Sequence, residues 1–258
     1  MAGLRARAVS GLPEVRAGDD LAALIVAALA AEGPARALRG DQVLAIAHKA
    51  VSKAEGAIVA LADVIPGERA RELAAQDPAL GKDPRAVQVV LDESQEILRA
   101  ERGVLVCRTR HGFVCANAGV DASNASSPGT LILLPRDPDG SARGIRARVR
   151  ELTGASPAVL ISDSFGRAWR HGQLDVAIGL AGMQPLEDWR GRADAAGREL
   201  QATWLAVTDA AAASADLARA KDSHEPVVII EGLERFLTSE DGPGARALLR
   251  PLEEDLFR

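Results

Sequence analysis

The stretch GVLVCRTRHGFVCANAG, residues 103–119, decides between two fold classes. Its apolar residues flank a polar centre at His111-Gly112, a pattern that reads as two short strands, GVLVCRTR and GFVCANAG, joined by a tight turn. A hairpin is an antiparallel unit. A regular strand–helix alternation would instead build a parallel, doubly wound sheet, and the rest of the chain lacks that rhythm.

Upstream, DDLAALIVAALAAEG (19–33) reads as a helix with Asp19 and Asp20 in its first turn, where they suit the helix dipole. QVLAIA (42–47) reads as a strand. ERARELAAQ (68–76) and DPRAVQVVLDESQEILRAE (83–101) read as helices; in the second, Val87, Val90, Leu91, Ser94 and Ile97 recur at three- and four-residue steps behind Pro84. Downstream come a polar loop DASNASSPG (121–129), a strand TLILL (130–134), a turn PRDPDG (135–140) and a helix SARGIRARVRELTG (141–154) closed by Gly154. Strands AVLISDS (158–164), DVAIGLAG (175–182), ELQATWLAVTD (199–209) and PVVIIEG (226–232) follow, with an Ala-rich helix (210–220) before the last and a C-terminal helix after it. The expectation is an α+β fold with mixed, partly antiparallel sheets and flanking helices. No composition break marks a linker, so residues 1–258 are taken as one unit.

With 258 residues, 47% of them hydrophobic, the chain can bury a sizeable core. Its longest apolar run, about 11 residues, falls short of the roughly 20 that span a bilayer. The N-terminus shows no apolar segment of signal-peptide type. A net charge of −5, only 3% aromatics and no Tyr argue against a nucleic-acid partner. Cys107 and Cys115 read as reduced, packed thiols, with a bridge or a metal pair as the alternatives. A cytoplasmic protein is expected.

No P-loop, GxGxxG, HExxH or CxxC is present. Three polar clusters stand at strand ends instead. The first is HKAVSKAEG (48–56). Of 31 Lys and Arg only four are Lys, and Lys49 and Lys53 lie here; a compact ammonium suits phosphate. If QVLAIAHKAV continues as a strand, both lysines share one side. The second is NAGVDASN (117–124), with Asn117, Asp121, Ser123 and Asn124 as oxygen donors for a hard cation, or as an Asx-turn loop. In the third, SDSFGRAWRHGQLD (162–175), Asp163 and Ser164 end an apolar strand. Arg167, Arg170 and His171 follow at helical or turn spacing, able to grip phosphate or carboxylate. Carboxylates, arginines and an isolated lysine are the parts of a metal-assisted phosphoryl-transfer or ligase site.

In this order, SGLPEVRAGDDL (10–21), VSKAEG (51–56), NAGVDASN (117–124), PRDPDGSA (135–142) and SDSFGRAWRHGQLDVAIG (162–179) resemble the γ-glutamyl ligases of coenzyme F-420 biosynthesis. The resemblance runs from about residue 10 to 232. It implies a GTP-dependent enzyme that activates the carboxylate of the precursor F-420-0 as an acyl phosphate. L-Glutamate then forms an amide, and further γ-linked glutamates follow. It also implies Mg²⁺ or Mn²⁺, two per site, with K⁺ as a further ion, and an intertwined homodimer; the composition adds the expectation of no nucleic-acid or membrane partner. By this similarity Asp121, Asp163 and Ser164 would ligate the divalent metals. Leu12, Pro13, Glu14, Val15, His48, Lys53, Asn124 and Lys221 would line the nucleotide site. As catalytic candidates we add Lys53 and the phosphate grips Arg167 and Arg170, with Glu55 to orient Lys53 or the incoming amine. Two departures stand out: His48 takes the place of a small hydroxyl or Gln, and AKDSHEP (220–226) lacks the glycine-rich run usual in relatives. No C-terminal flavin-reductase domain is expected. A ligase for a different carboxylate cofactor, and a non-catalytic nucleotide-binding homologue, stay open as alternatives.

Overall fold

The computed structural model describes residues 3–76, 81–125 and 127–255. Its centre is a five-stranded sheet in the order β1 (Arg5–Ala8), β12 (Val227–Glu231), β2 (Val43–Ala47), β8 (Ala158–Arg167) and β9 (Arg170–Ala181). Only β2 and β8 run parallel; the other neighbours are antiparallel.

Both faces of this sheet are covered. Leu44, Ile46, Val159, Ile161, Val227 and Ile229 pack on one side with residues of α1 (Leu21–Ala31), α2 (His48–Ala54) and α5 (Pro138–Thr153). Val43, Ala45, Leu160, Val228 and Ile230 pack on the other with α6 (Val207–Ala218). Two-sided burial explains why VLAIA and VVII are continuous apolar runs without polar alternation. Gly179 in β9 marks a close approach: a Cβ there would sit 2.4 Å from the Pro138 carbonyl oxygen at the start of α5.

The hairpin of residues 103–119 is present as β5 (Val104–Thr109) and β6 (Val114–Ala116), with Cys107 opposite Cys115. β4 (Ser94–Glu101) joins them in a three-stranded antiparallel sheet. α3 (Glu68–Ala75) and α4 (Pro84–Asp92) cover it through Leu73, Val87 and Val90 against Leu105 and Cys107. Both cysteines are free and buried; burial, with help from the Asp163 charge, pushes the Cys115 thiol up to about 12. Two small antiparallel pairs complete the fold, β3 (Ile58–Ala60) with β7 (Thr130–Ile132) and β10 (Leu186–Asp188) with β11 (Trp204–Ala206). The class is α+β, and no described helix is long and apolar enough to cross a membrane.

Several boundaries differ from the sequence reading. The helix expected over 83–101 stops at Asp92, and its second half is β4. Two register irregularities in β4, at Ser94/Glu96 and Ile97/Arg99, leave every third residue half-buried and so imitate a helical period. α1 starts at Leu21, and Asp20 is its N-cap, accepting from the Ala23 amide at 3.0 Å. The turn expected over 135–140 ends early because Asp137 caps α5 and Pro138 opens it. The strand expected over 199–209 shrinks to β11, since α6 already begins at Val207. In place of a C-terminal helix there are short 3-10 turns at Glu234–Phe236, Ala245–Leu248 and Leu252–Glu254, interrupted by Gly242 and Gly244 at positive φ. Residues 256–258, and residue 126 of the polar loop, lie outside the described residues. β1, written RARA, gave no apolar signal; it forms an edge strand beside β12.

Candidate active site

The parallel pair sets the site. In parallel strands the carboxyl ends share one edge, and ligands collect at that edge in open α/β sheets. Ala47, the last residue of β2, is in register with Ser162 of β8, so the next residues, His48 and Asp163, emerge side by side. His48 Nε2 lies 3.2 Å from Asp163 Oδ1. The approach is poorly aligned, and this buried nitrogen finds no hydrogen-bond partner among the described residues. His48 Nδ1 faces Ser52 Oγ at 3.4 Å.

β2 does not continue past Ala47: the chain turns directly into α2, so Lys49 and Lys53 lie on a helix, not on the strand extension. Residues four apart still share a helix face, for a different reason than strand alternation. Lys49 Nζ contacts Asp121 Oδ2 and Ser123 Oγ, each at 2.6 Å. Asp121 Oδ1 also accepts the Ser123 amide at 2.7 Å. Burial opposes ionisation of Asp121, but hydrogen bonds from Lys49 and Ser123 outweigh it and hold the carboxyl below the usual range. Lys53 Nζ bonds Glu14 Oε1 at 2.6 Å; the lysine side chain is 10% exposed and the glutamate 53%. One seven-residue helix thus gathers Glu14, Asp121 and Asp163 from three distant segments.

Leu12 and Val15 anchor the Glu14 segment in the core. Ser10 Oγ donates to Glu225 Oε1 at 2.7 Å, tying that segment to the loop before β12. Asn124 is exposed with φ 58°, a left-handed position that Asn tolerates. Glu55, at the C-terminal end of α2, accepts a hydrogen bond from Ser141; the acid that orients Lys53 is Glu14.

Asp163 and Ser164 point to opposite faces of β8, as neighbours on a strand do. Ser164 Oγ donates to Asp175 Oδ1 at 2.7 Å and receives Lys221 Nζ at 2.5 Å. Lys221 also stands 3.2 Å from Asp216. Arg167 and Arg170 follow strand spacing, not helical spacing, because they pair across the exposed tip of the β8–β9 hairpin around Trp169. They lie three residues, roughly 10 Å, beyond Ser164 along the strand. Arg167 Nη2 donates to the His171 carbonyl at 2.7 Å. Neither arginine bonds to the α2 cluster among the described residues.

The sequence reading did not find Asp175 or Arg219. They form a buried ion pair across 44 positions of chain, a separation that no local pattern encodes.

Asp121, Asp163 and Ser164 offer oxygen donors only, the set that Mg²⁺ or Mn²⁺ favours. The hydrogen bond to Asp163, from the Ser164 amide, falls on Oδ1, which leaves Oδ2 for a ligand among the described residues. No three described His, Cys, Asp or Glu residues come close enough to hold a metal together. An ion held by two carboxylates there would complete its shell with phosphate oxygens and water.

The family model described as "F420-0:Gamma-glutamyl ligase" matches residues 11–232. Among curated proteins, the Coenzyme F420:L-glutamate ligase of Methanothermobacter thermautotrophicus is 47% identical over 251 residues, 97% of each chain. The protein of that name from Methanopyrus kandleri is 45% identical over 263 residues, covering 100% of both. That of Archaeoglobus fulgidus is 42% identical over 252 residues, 97% of this chain and 94% of the relative.

Proposed function

Since the chain belongs to the F420-0:γ-glutamyl ligase family, we propose that it joins L-glutamate to coenzyme F-420-0 at the expense of GTP and then adds further γ-linked glutamates. The observation that supports this most is the gathering of Lys53, Lys49, Asp121 and Asp163 around α2 at the carboxyl edge of the parallel pair.

A carboxylate is a poor electrophile. In the proposed sequence the substrate carboxylate oxygen attacks the γ-phosphorus of GTP, the β–γ bond breaks, and GDP leaves. The glutamate amine then attacks the acyl carbon, inorganic phosphate departs with the C–O bond pair, and the amine loses a proton. Lys53, held by Glu14, supplies an ammonium to the transferring phosphoryl oxygens. Divalent cations, when bound, neutralise phosphate charge. Asp121 and Asp163 would hold one such ion and Ser164 would contribute its hydroxyl oxygen to a second. In this reading residues 10–15 and the 220–226 loop, which the Ser10–Glu225 bond links, would lie on either side of the nucleotide. Holding three substrates in line removes much of the entropic part of the barrier.

The test is incubation of the purified protein with F-420-0, glutamate, GTP and Mn²⁺, followed by product mass. Stepwise gains of one glutamyl unit with matching GDP release are expected. GTP hydrolysis without any such gain overturns the reading.

A further inference from the structure

Asp175 is 1% exposed, a carboxylate buried in β9 opposite Ser164 and outside the cluster on α2. Burying a charge is costly unless it is paired and hydrogen-bonded, and here the partners are several. Ser162 Oγ donates to Oδ2 and Ser164 Oγ to Oδ1, each at 2.7 Å. The Arg219 guanidinium, itself 9% exposed, donates to Oδ2. Lys221 Nζ stands 3.8 Å from Oδ1. These groups outweigh the desolvation of Asp175 and hold its carboxyl below the usual range.

Two consequences follow from the geometry. Arg219 also donates Nη1 to the Pro226 carbonyl at 2.9 Å, so one guanidinium fastens both ends of the 219–226 loop to Asp175. The same Pro226 oxygen accepts the Ala47 amide at 2.8 Å, which places the loop base beside the start of α2. The second consequence concerns Ser164. A hydroxyl has a single proton, and Ser164 gives its proton to Asp175. Only lone pairs remain to face outward, and one already receives the Lys221 ammonium.

We propose that Asp175 is a positioning residue for the ligase reaction: it turns Ser164 into an acceptor-only oxygen directed at cationic groups and, through Arg219, clamps the 219–226 loop over the nucleotide. The proposal rests on the reading above, in which Ser164 and Lys221 face the nucleotide and its cations. Asp175 touches neither substrate nor phosphate; it acts through Ser164 and Arg219.

Asp175→Asn tests this with little change in volume. The amide cannot accept from Ser164, Ser162 and Arg219 together, because one of its two heads is a donor. Outer partners of metal ligands typically matter by about 10- to 100-fold in affinity. Mn²⁺ binding, measured by titration with GDP present, should weaken at least about tenfold in Asp175→Asn. In a Ser164→Ala background the same substitution should change Mn²⁺ affinity less than about twofold, since the group it acts through is gone. In metal-free protein, backbone amide exchange over 221–225 should quicken in Asp175→Asn and in Arg219→Gln. Equal loss of Mn²⁺ affinity with and without Ser164, or unaltered exchange over 221–225, overturns the proposal. If Asp175→Asn does not fold, Arg219→Gln decides through exchange alone. The exchange measurement needs neither GTP nor glutamate, so an inactive wild type refutes the ligase reading without touching this result.

Discussion

Replacing Lys53 with Met removes an ammonium while keeping most of the side-chain volume, and the structure gives the change two very different sizes. Lys53 is 10% exposed, but its partner Glu14 is 53% exposed, with 2.6 Å between Nζ and Oε1. A pair with one member half in water contributes about 0.2–1 kcal/mol to folding. For a chain of this size that is a melting shift of no more than about 4 °C. A charge-assisted hydrogen bond to phosphate is worth about 1.5–3 kcal/mol, and about 1.4 kcal/mol is tenfold in affinity. Lys53→Met should therefore weaken nucleotide binding roughly ten- to a hundredfold and leave the fold nearly as stable. Calorimetric titration with a GTP analogue carrying an uncleavable β–γ link, beside scanning calorimetry, reads both. Glu14→Gln, which keeps the ammonium, should lose less affinity than Lys53→Met. Binding by Lys53→Met within about twofold of wild type, in a folded protein, would refute a phosphate-facing Lys53.

Asp121→Asn and Asp163→Asn should each abolish glutamate addition in the product-mass assay while the protein stays folded; a wild-type rate in either contradicts the metal role proposed for them. The Asp175 carboxyl is held below its unfolded value, so the stability it contributes is complete above about pH 4, the unfolded aspartate range, and drains away as pH falls through the folded value. Thermal melts should therefore show wild type and Asp175→Asn converging as the buffer moves from pH 7 to pH 3, and a gap that widens in acid would contradict the sign. Gly179→Ala should destabilise by at least about 1–3 kcal/mol through overpacking, because its methyl would meet the Pro138 carbonyl at 2.4 Å. A denaturant midpoint equal to wild type would show that α5 can move aside.

The hairpin at 103–119 was legible because its period-2 pattern and polar turn are local properties. β4 was not, because its two irregularities give Ser94, Ile97 and Ala100 the spacing of a helix face, and only pairing with β5 makes them a strand. The lysines of α2 were read on the same side by the wrong periodicity. Strand alternation and the helical i,i+4 relation agree at a separation of four, so the pattern could not discriminate between them. Asp121, Asp163 and Lys53 were legible as polar residues at the ends of apolar runs. Ion pairs were harder to read: Lys49 meets Asp121 across 72 residues of chain, and Asp175 meets Arg219 across 44. The second exists only once β8, β9 and β12 share one sheet with β2, and the first only once Asp121, bridged to Ile132 of β7, comes beside α2.

A crystal structure with GDP and Mn²⁺, phased to show the metal's anomalous signal, tests most directly whether the edge beside α2 is the nucleotide–metal site. We expect a manganese peak within about 2.5 Å of carboxylate oxygens of Asp121 and Asp163, the range of hard-cation bonds, with the GDP phosphates against Lys53. A manganese peak away from both carboxylates, or GDP bound elsewhere on the molecule, would contradict it.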